Sequence, residues 1–137
     1  QLDGKRIRVS ERTELEGTLI GTGFPYSNFD HIDAYMGILR DMMQQTSGLR
    51  RPGSAALDLA WTAAGRYDGF FETGLKPWDI AAGTLLITEA GGMVSDLNGN
   101  DGFMKSCHVC AGNPDIHQQL LKVIAPHLTD ALKLKGK

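Results

Sequence analysis

Residues 50–92 carry the segment that decides the fold class, RRPGSAALDLAWTAAGRYDGFFETGLKPWDIAAGTLLITEAGG. Its first part predicts a helix over 55–64, because Ser54 is a good N-cap and the alanines and leucines that follow share one helical face. The aromatic run at 68–72 is short and borders on glycine, which is typical of a strand. A second helix is expected over 77–90, since a proline opens it and a glycine pair closes it.

The alternation of strands and helices continues on both sides of this segment. Apolar runs of period two predict further strands, and apolar residues at helical spacing predict further helices. The predicted strands are 5–9, 18–22, 48–51, 93–95 and 107–111, and the predicted helices are 28–45, a helix capped by Asn113 and opened by Pro114, and 127–135. This alternation indicates an α/β fold in which a largely parallel sheet is flanked by helices.

Composition and charge limit the class of protein. The chain has 137 residues, of which 42% are hydrophobic, and this is enough for the core of one domain. The 14 basic and 16 acidic side chains give a net charge of −2, whereas dedicated nucleic-acid-binding domains are usually basic. No apolar run reaches the roughly 20 residues that span a bilayer. We therefore expect neither a membrane nor a direct nucleic-acid partner.

Cys107 and Cys110 form an isolated C-x-x-C pair. A zinc site needs a second pair of ligands, and His108 is the only further candidate close in sequence. We therefore interpret both thiols as packing residues rather than as metal or redox groups. Two cysteines without a disulfide framework fit a reducing compartment, so the cytoplasm is the expected location.

The helix that begins near Ser54 offers groups that could bind an anion. Free backbone N–H groups at a helix start favour an anion or an oxygen acceptor, and Gly53 allows a ligand to approach the backbone closely. Arg50 and Arg51 add positive charge beside it. The alternative is that Ser54 only caps the helix and that the arginines are ordinary surface charges.

Two carboxylates lie farther along the same segment. Glu72 is placed near a strand end, where open α/β sheets usually hold ligand-binding groups. Asp79 begins a helix whose small residues 81–83 would allow close packing against a neighbour, and a carboxylate held in this way could ligate Mg²⁺. The alternatives are a solvated carboxylate for Glu72 and a plain N-cap for Asp79.

The joint pattern resembles the inositol monophosphatase family, and most closely its bacterial SuhB-type members. The motif Trp78-Asp79-x-Ala81-Ala82-Gly83, with Glu89-Ala90-Gly91-Gly92 on the same helix, is similar to the second signature of that family. The segments 53–59 and 69–74 match the sequence that precedes this signature. The resemblance implies a Mg²⁺-dependent, lithium-sensitive phosphatase with an αβαβα layered fold, which hydrolyses inositol monophosphate to inositol and phosphate.

The resemblance also implies roles for single residues. Asp79 matches the carboxylate that ligates the second metal beside the substrate hydroxyls, which makes it both a catalytic residue and a metal ligand. Glu72 matches a residue that accepts hydrogen bonds from inositol hydroxyls. The other matched substrate-binding positions are Arg50, which contacts substrate in the bacterial members, and the backbone segment of Gly53, Ser54 and Ala55.

The chain resembles only the C-terminal portion of the family pattern. The first signature, Asp-Pro-x-Asp-Gly-Thr, and the Glu-Glu metal pair are absent, and with them most metal ligands. The turn signal at Asp3 and Gly4 lies almost at the start, so we interpret 1–16 as the remnant hairpin of a missing N-terminal sheet and 17–137 as the C-terminal α/β domain. We expect this chain alone to bind Mg²⁺ weakly, to turn over poorly or not at all, and to self-associate through its open strand edge.

Other functions are compatible with the same residues. Related phosphatases that share the Trp-Asp signature act on 3′-phosphoadenosine 5′-phosphate or on fructose bisphosphate. The resemblance to SuhB-type proteins also implies a regulatory role, in which the protein binds components of transcription antitermination complexes. A further alternative is an inert fragment. By analogy with the family, the expected oligomer is a homodimer.

Overall fold

The computed structural model describes residues 7–23, 32–50 and 55–128. Strands and helices alternate along this part of the chain. The strands are β1 (Leu19–Thr22), β2 (Gly48–Arg50), β3 (Gly69–Glu72), β4 (Met93–Ser95) and β5 (Val109–Gly112). The helices are α1 (Ile32–Gln45), α2 (Ala55–Ala63), α3 (Pro77–Glu89), α4 (Phe103–Ser106) and α5 (Pro114–Ile124), followed by a 3₁₀ turn at Ala125–His127.

The five strands form one sheet in the order β2-β1-β3-β5-β4. Strand β1 pairs in parallel with β2 and with β3, so that Ile20 lies between Leu49 and Gly69. Strand β5 is antiparallel to both β3 and β4. Four strands thus point in one direction and β5 in the other, which confirms the predicted α/β fold with a mostly parallel sheet.

Helices cover both faces of this sheet. Consecutive residues of β3 alternate between the two faces, because Phe71 belongs to one hydrophobic cluster and Phe70 to another. The Phe71 cluster contains residues of α1 and α5, and the Phe70 cluster contains residues of α2 and α3. The result is a helix–sheet–helix arrangement with a separate core on each side. None of the helices in the described ranges is long and apolar enough to cross a bilayer.

Helices α2 and α3 pack closely because Gly83 has no side chain. A Cβ at Gly83 would collide with the side chain of Leu59 on α2. This confirms the predicted role of Gly83 in close packing. The same role was also predicted for Ala81 and Ala82, and for them it is wrong, since both are exposed on the outer side of α3.

Helix α5 begins as the sequence predicts. The Asn113 side chain accepts a hydrogen bond from the Ile116 N–H at 2.8 Å, and Pro114 occupies the first turn. One other prediction at this end, the helix over 127–135, is affected by the structure. His127 belongs to the 3₁₀ turn and Leu128 is extended, so no helix begins at 127, and 129–137 lie outside the described residues.

The predicted strand at 107–111 starts too early. Phe103–Ser106 forms the short helix α4, and Cys107 ends it in the left-handed region with φ of 62°. Strand β5 therefore begins only at Val109. Cys110 is fully buried in the core as predicted for a packing residue, and burial raises the pKa of its thiol.

The predicted strand at 5–9 is not present in its described part. Residues 7–9 form no strand, and the Val9 N–H donates to the carbonyl of Ala90 at 3.2 Å, just beyond α3. Ile7 and Val9 pack against the Phe70 cluster. The turn at Asp3 and Gly4, and with it most of the expected hairpin, lies outside the described residues.

Candidate functional site

Three parallel strands end at one edge of the sheet. Strand β1 ends at Thr22, β2 at Arg50 and β3 at Glu72, and the parallel pairing brings these ends together. Helix α2 begins shortly after β2, and α3 begins shortly after β3. The helix N-termini therefore lie at the same edge, where α/β sheets usually bind ligands.

Glu72 is half-buried at this edge, and its carboxylate lies against the backbone of Gly23. A Cβ at position 23 would overlap the carboxylate. The buried hydroxyls of Thr22 and Tyr35 hydrogen-bond to each other at 2.9 Å nearby. Burial raises the pKa of Tyr35 to about 12, the Thr22 hydrogen bond opposes this, and the Glu72 charge adds to it. The Tyr35 phenol therefore stays neutral beside the carboxylate at physiological pH.

Asp79 is the third residue of α3 and is partly exposed. Lys76 is the N-cap of this helix, so the alternative interpretation of Asp79 as an N-cap is wrong. The Asp79 N–H donates to the Lys76 carbonyl at 3.1 Å. Among the described residues its carboxylate makes no hydrogen bond or ion pair. This carboxylate is partly exposed in the first turn of the helix, so a ligand can reach it.

The loop that joins Glu72 to Asp79 is tied to the segment before β5. The Gly74 N–H donates to Nδ1 of His108 at 3.1 Å, and the Leu75 N–H donates to the Cys107 carbonyl at 2.8 Å. In the sequence, His108 was a candidate only for a zinc ligand, and this contact was not predicted. The signal could not be seen in the sequence, because more than 30 residues separate the two partners.

The other predicted binding residues are only partly described. Arg50 is exposed at the end of β2, and its Nη1 donates to the Leu49 carbonyl at 3.1 Å. Ala55 begins helix α2. Gly53 and Ser54 lie outside the described residues, so their predicted contact with a substrate remains a prediction. The structure thus places Arg50 and Glu72 at one sheet edge and Asp79 at the start of the following helix.

Helix α2 carries a buried acid that sequence analysis did not single out. Asp58 is 1% exposed, and its Oδ1 has no hydrogen-bond partner among the described residues. Burial raises the pKa of Asp58 to about 6. The pKa of Tyr67 is also raised, mainly by burial and to a smaller extent by the Asp58 charge, whereas the Arg50 charge lowers it. The sequence signal was an aspartate inside an otherwise apolar helical run.

Magnesium, which the family resemblance implies, needs several oxygen ligands. Asp79 fits as one of them because its carboxylate is accessible. Within the described ranges, however, no group of three or more His, Cys, Asp or Glu side chains is placed to hold a metal ion. This part of the chain therefore does not form a metal centre by itself.

Fold and site together define an α/β protein with acidic groups at the carboxyl edge of its sheet. The model of the inositol monophosphatase family matches residues 1–132, and the chain belongs to that family. This confirms the resemblance drawn from the Trp78-Asp79 motif.

Individual relatives support the same assignment. The chain is 52% identical over 134 residues to the Nus factor SuhB of Pseudomonas aeruginosa, which covers 96% of this chain and 49% of that protein. It is 47% identical over 133 residues to the Nus factor SuhB of Escherichia coli K12, covering 97% and 50%. The chain thus spans about half the length of the curated relatives it matches, and it corresponds to their C-terminal part.

Solved structures show the same fold. The suhB protein of Bartonella henselae superposes with a TM-score of 0.85 at 43% identity, over 89% of this chain and 46% of that one. The inositol monophosphatase of Anabaena superposes with a TM-score of 0.82 at 37% identity, over 90% and 51%. The five-stranded mixed sheet flanked by helices is therefore the fold of this family's C-terminal portion.

Proposed function

We propose that this chain forms the inositol-facing part of a Mg²⁺-dependent phosphatase that hydrolyses inositol monophosphate to inositol and phosphate. One observation carries the proposal. In a chain of this family, Glu72 ends β3 at the carboxyl edge of the sheet, Asp79 lies in the first turn of the next helix, and the Asp79 carboxylate has no protein partner among the described residues. Carboxylates in this position suit a polyhydroxylated substrate, because they accept hydrogen bonds from hydroxyl groups.

Each residue has a proposed role in this reaction. Asp79 ligates a magnesium ion beside the substrate hydroxyls, and Glu72 accepts hydrogen bonds from the inositol ring. Arg50 contacts the substrate with its guanidinium, and Gly53, Ser54 and Ala55 contact it through the backbone at the start of α2. Magnesium, when bound, stabilises the negative charge that develops on the phosphate and leaving-group oxygens.

The chain alone is expected to be a poor catalyst. Its described residues contain no group of three or more acidic, histidine or cysteine side chains placed to hold a metal ion, whereas this chemistry needs several ligands. The first test is phosphate release from inositol monophosphate by the 137-residue chain, with and without Mg²⁺. We expect no release above background. Mg²⁺-dependent release that Asp79→Asn abolishes would overturn the view that the remaining ligands lie elsewhere.

A second assay tests the proposed substrate. The N-terminal half of the Pseudomonas aeruginosa relative is joined to this chain, and the chimaera is assayed with three substrates. We expect Mg²⁺-dependent release from inositol monophosphate, inhibition by lithium, and loss of activity in Asp79→Asn. A preference for 3′-phosphoadenosine 5′-phosphate or fructose bisphosphate would replace the proposed substrate with one of these.

A regulatory function is a second candidate, because the relatives at 47–52% identity are named Nus factors. On this view the protein, as a homodimer in the cytoplasm, binds transcription antitermination proteins. Pull-down of Nus proteins by wild type and by Asp79→Asn separates the two functions. Equal capture by both would support a binding role that is independent of catalysis, and no capture by either would argue against it.

A further inference from the structure

The loop between the two proposed site carboxylates is held from outside by the segment that precedes β5. Two consecutive loop amides are bound there: Gly74 N–H by Nδ1 of His108 at 3.1 Å, and Leu75 N–H by the Cys107 carbonyl at 2.8 Å. The loop itself is only four residues long, since β3 ends at Glu72 and α3 begins at Pro77. The two bound amides therefore lie in a short connection between Glu72 and the first turn of α3.

The His108 contact fixes the chemical state of the imidazole. His108 is 2% exposed, and its backbone N–H donates to the Ser106 hydroxyl at 3.2 Å, which holds the residue in place. Since Nδ1 accepts from a backbone N–H, the ring proton must be on Nε2. A side chain without an acceptor at the Nδ1 position would leave the Gly74 amide without this partner.

Gly74 has no side chain, so it makes no side-chain contact that would fix the loop. It has φ of 69°, and apart from its two chain neighbours no described residue has an atom within 4 Å of the position where a side chain would begin. Beyond it, the Lys76 carbonyl accepts from the N–H groups of Asp79 at 3.1 Å and Ile80 at 3.3 Å. The first turn of α3, which carries Asp79, therefore starts from the loop that His108 holds.

We propose that His108 is a positioning residue, whose Nδ1 holds the Gly74–Lys76 loop and thereby sets the place of Asp79 relative to Glu72. The inference deepens the proposed function and rests on it, because it takes Asp79 and Glu72 as the groups that meet the metal and the substrate. Displacement of a reacting or orienting group by about 1 Å can reduce a rate by about 100-fold.

Two variants of the 137-residue chain test the contact directly. His108→Leu keeps the volume of the side chain but removes the acceptor, whereas His108→Asn keeps an acceptor oxygen near the Nδ1 position. Amide hydrogen exchange is followed at Gly74, Asp79 and Ile80 by NMR. In His108→Leu we expect exchange at all three amides to be about 10- to 100-fold faster, which is the range expected for one lost buried hydrogen bond. His108→Asn should stay within about threefold of wild type. Amides of β1 serve as the internal control for global stability.

The same substitutions in the chimaera with the Pseudomonas aeruginosa half test the consequence for the reaction. Well below the melting temperature, we expect kcat/KM of His108→Leu to fall about 10- to 100-fold and His108→Asn to restore it. If the unsubstituted chimaera is active and His108→Leu keeps its kcat/KM, the inference is wrong. If that chimaera is inactive, the proposed function fails and the exchange data decide alone. Faster amide exchange in His108→Leu at both Gly74 and the first turn of α3 would then support the positioning role. Exchange at the wild-type rate at either place would overturn it.

Discussion

At the scale of single residues, Asp58 makes the stability of the fold depend on pH. Its carboxyl group is almost fully buried, and burial raises its pKa from the ordinary 3.8 to about 6. The folded state therefore binds the proton more tightly than the unfolded state does. The stability that Asp58 contributes is fully present below pH 3.8 and is lost as the pH rises through 6.

Asp58→Asn is expected to stabilise the protein at alkaline pH. The raised pKa corresponds to roughly 2–3 kcal/mol at pH 8, because each pH unit is about 1.4 kcal/mol. The gain should shrink towards zero near pH 4. Urea denaturation of both proteins at pH 4, 6 and 8 measures it, with exposed Asp101→Asn as the matched control that should change the free energy of unfolding by less than about 0.5 kcal/mol. A loss of stability at pH 8 would contradict the account.

Cys107 is strained where it ends α4, because φ of 62° brings the side chain of an L-residue close to the backbone. Cys107→Gly is expected to raise the free energy of unfolding by about 0.5–1 kcal/mol, since glycine adopts this conformation without a steric cost. Cys107→Ala keeps a Cβ and should give no such gain. Denaturant titrations of the three proteins decide the matter, and equal stability of the Gly and Ala variants would show that the backbone here is not strained.

At the scale of elements, Gly83 on α3 lies directly against the Leu59 side chain on α2. In an exposed helix, replacing glycine with alanine stabilises by about 1 kcal/mol. Here the new Cβ would meet the Leu59 side chain, and overpacking of this kind costs about 1–3 kcal/mol. We therefore expect Gly83→Ala to be destabilising, which is the opposite sign.

A double-mutant cycle isolates this contact. Leu59→Ala alone is expected to lose about 2–5 kcal/mol, because it leaves a cavity in the core. Gly83→Ala should cost little or be favourable in that background, because the obstructing side chain is gone. The coupling is read from the free energies of unfolding of the four proteins. Additive effects would mean that α2 can shift and that the spacing of the two helices is not fixed by Gly83.

Most elements could be predicted from the sequence because their signals are local. The Asn113-Pro114 cap, the glycine pair after α3 and the aromatic run of β3 each depend on neighbouring residues. The wrong predictions lie where contacts between residues distant in sequence determine the local structure. Cys107 and His108 were predicted to belong to the strand. The Cys107 carbonyl and the His108 ring instead accept hydrogen bonds from backbone N–H groups of the Gly74 loop, and the strand starts later. The antiparallel direction of β5 likewise depends on which strand it meets.

At the scale of the whole molecule, candidate site residues could be predicted from the sequence, but the residues that support them could not. Glu72 and Asp79 could be singled out as candidates because a strand end and a helix start are visible in sequence patterns. The buried Tyr35 and Thr22 hydroxyls beside Glu72 come from other elements, and so does His108. Such groups are brought together only by the sheet order β2-β1-β3-β5-β4. That order cannot be read from local periodicity.

The outer side of α3 sets the behaviour of the isolated chain in solution. Trp78 is 70% exposed and Leu85 is 62% exposed, and the exposed Ala81 and Ala82 lie between them on the same helix. Large exposed apolar patches favour association, so we expect the 137-residue chain to form concentration-dependent oligomers in sedimentation velocity.

Leu85→Glu places a charge on this face and should shift the chain towards monomer at equal concentration. Met43→Glu is the matched control, because Met43 is 65% exposed on α1, which covers the other face of the sheet. We expect it to leave the sedimentation profile unchanged. A monomeric wild type would show that the α3 face does not drive association. Dissociation by Met43→Glu instead of Leu85→Glu would place the contact on α1 and leave the α3 face without a role in self-association.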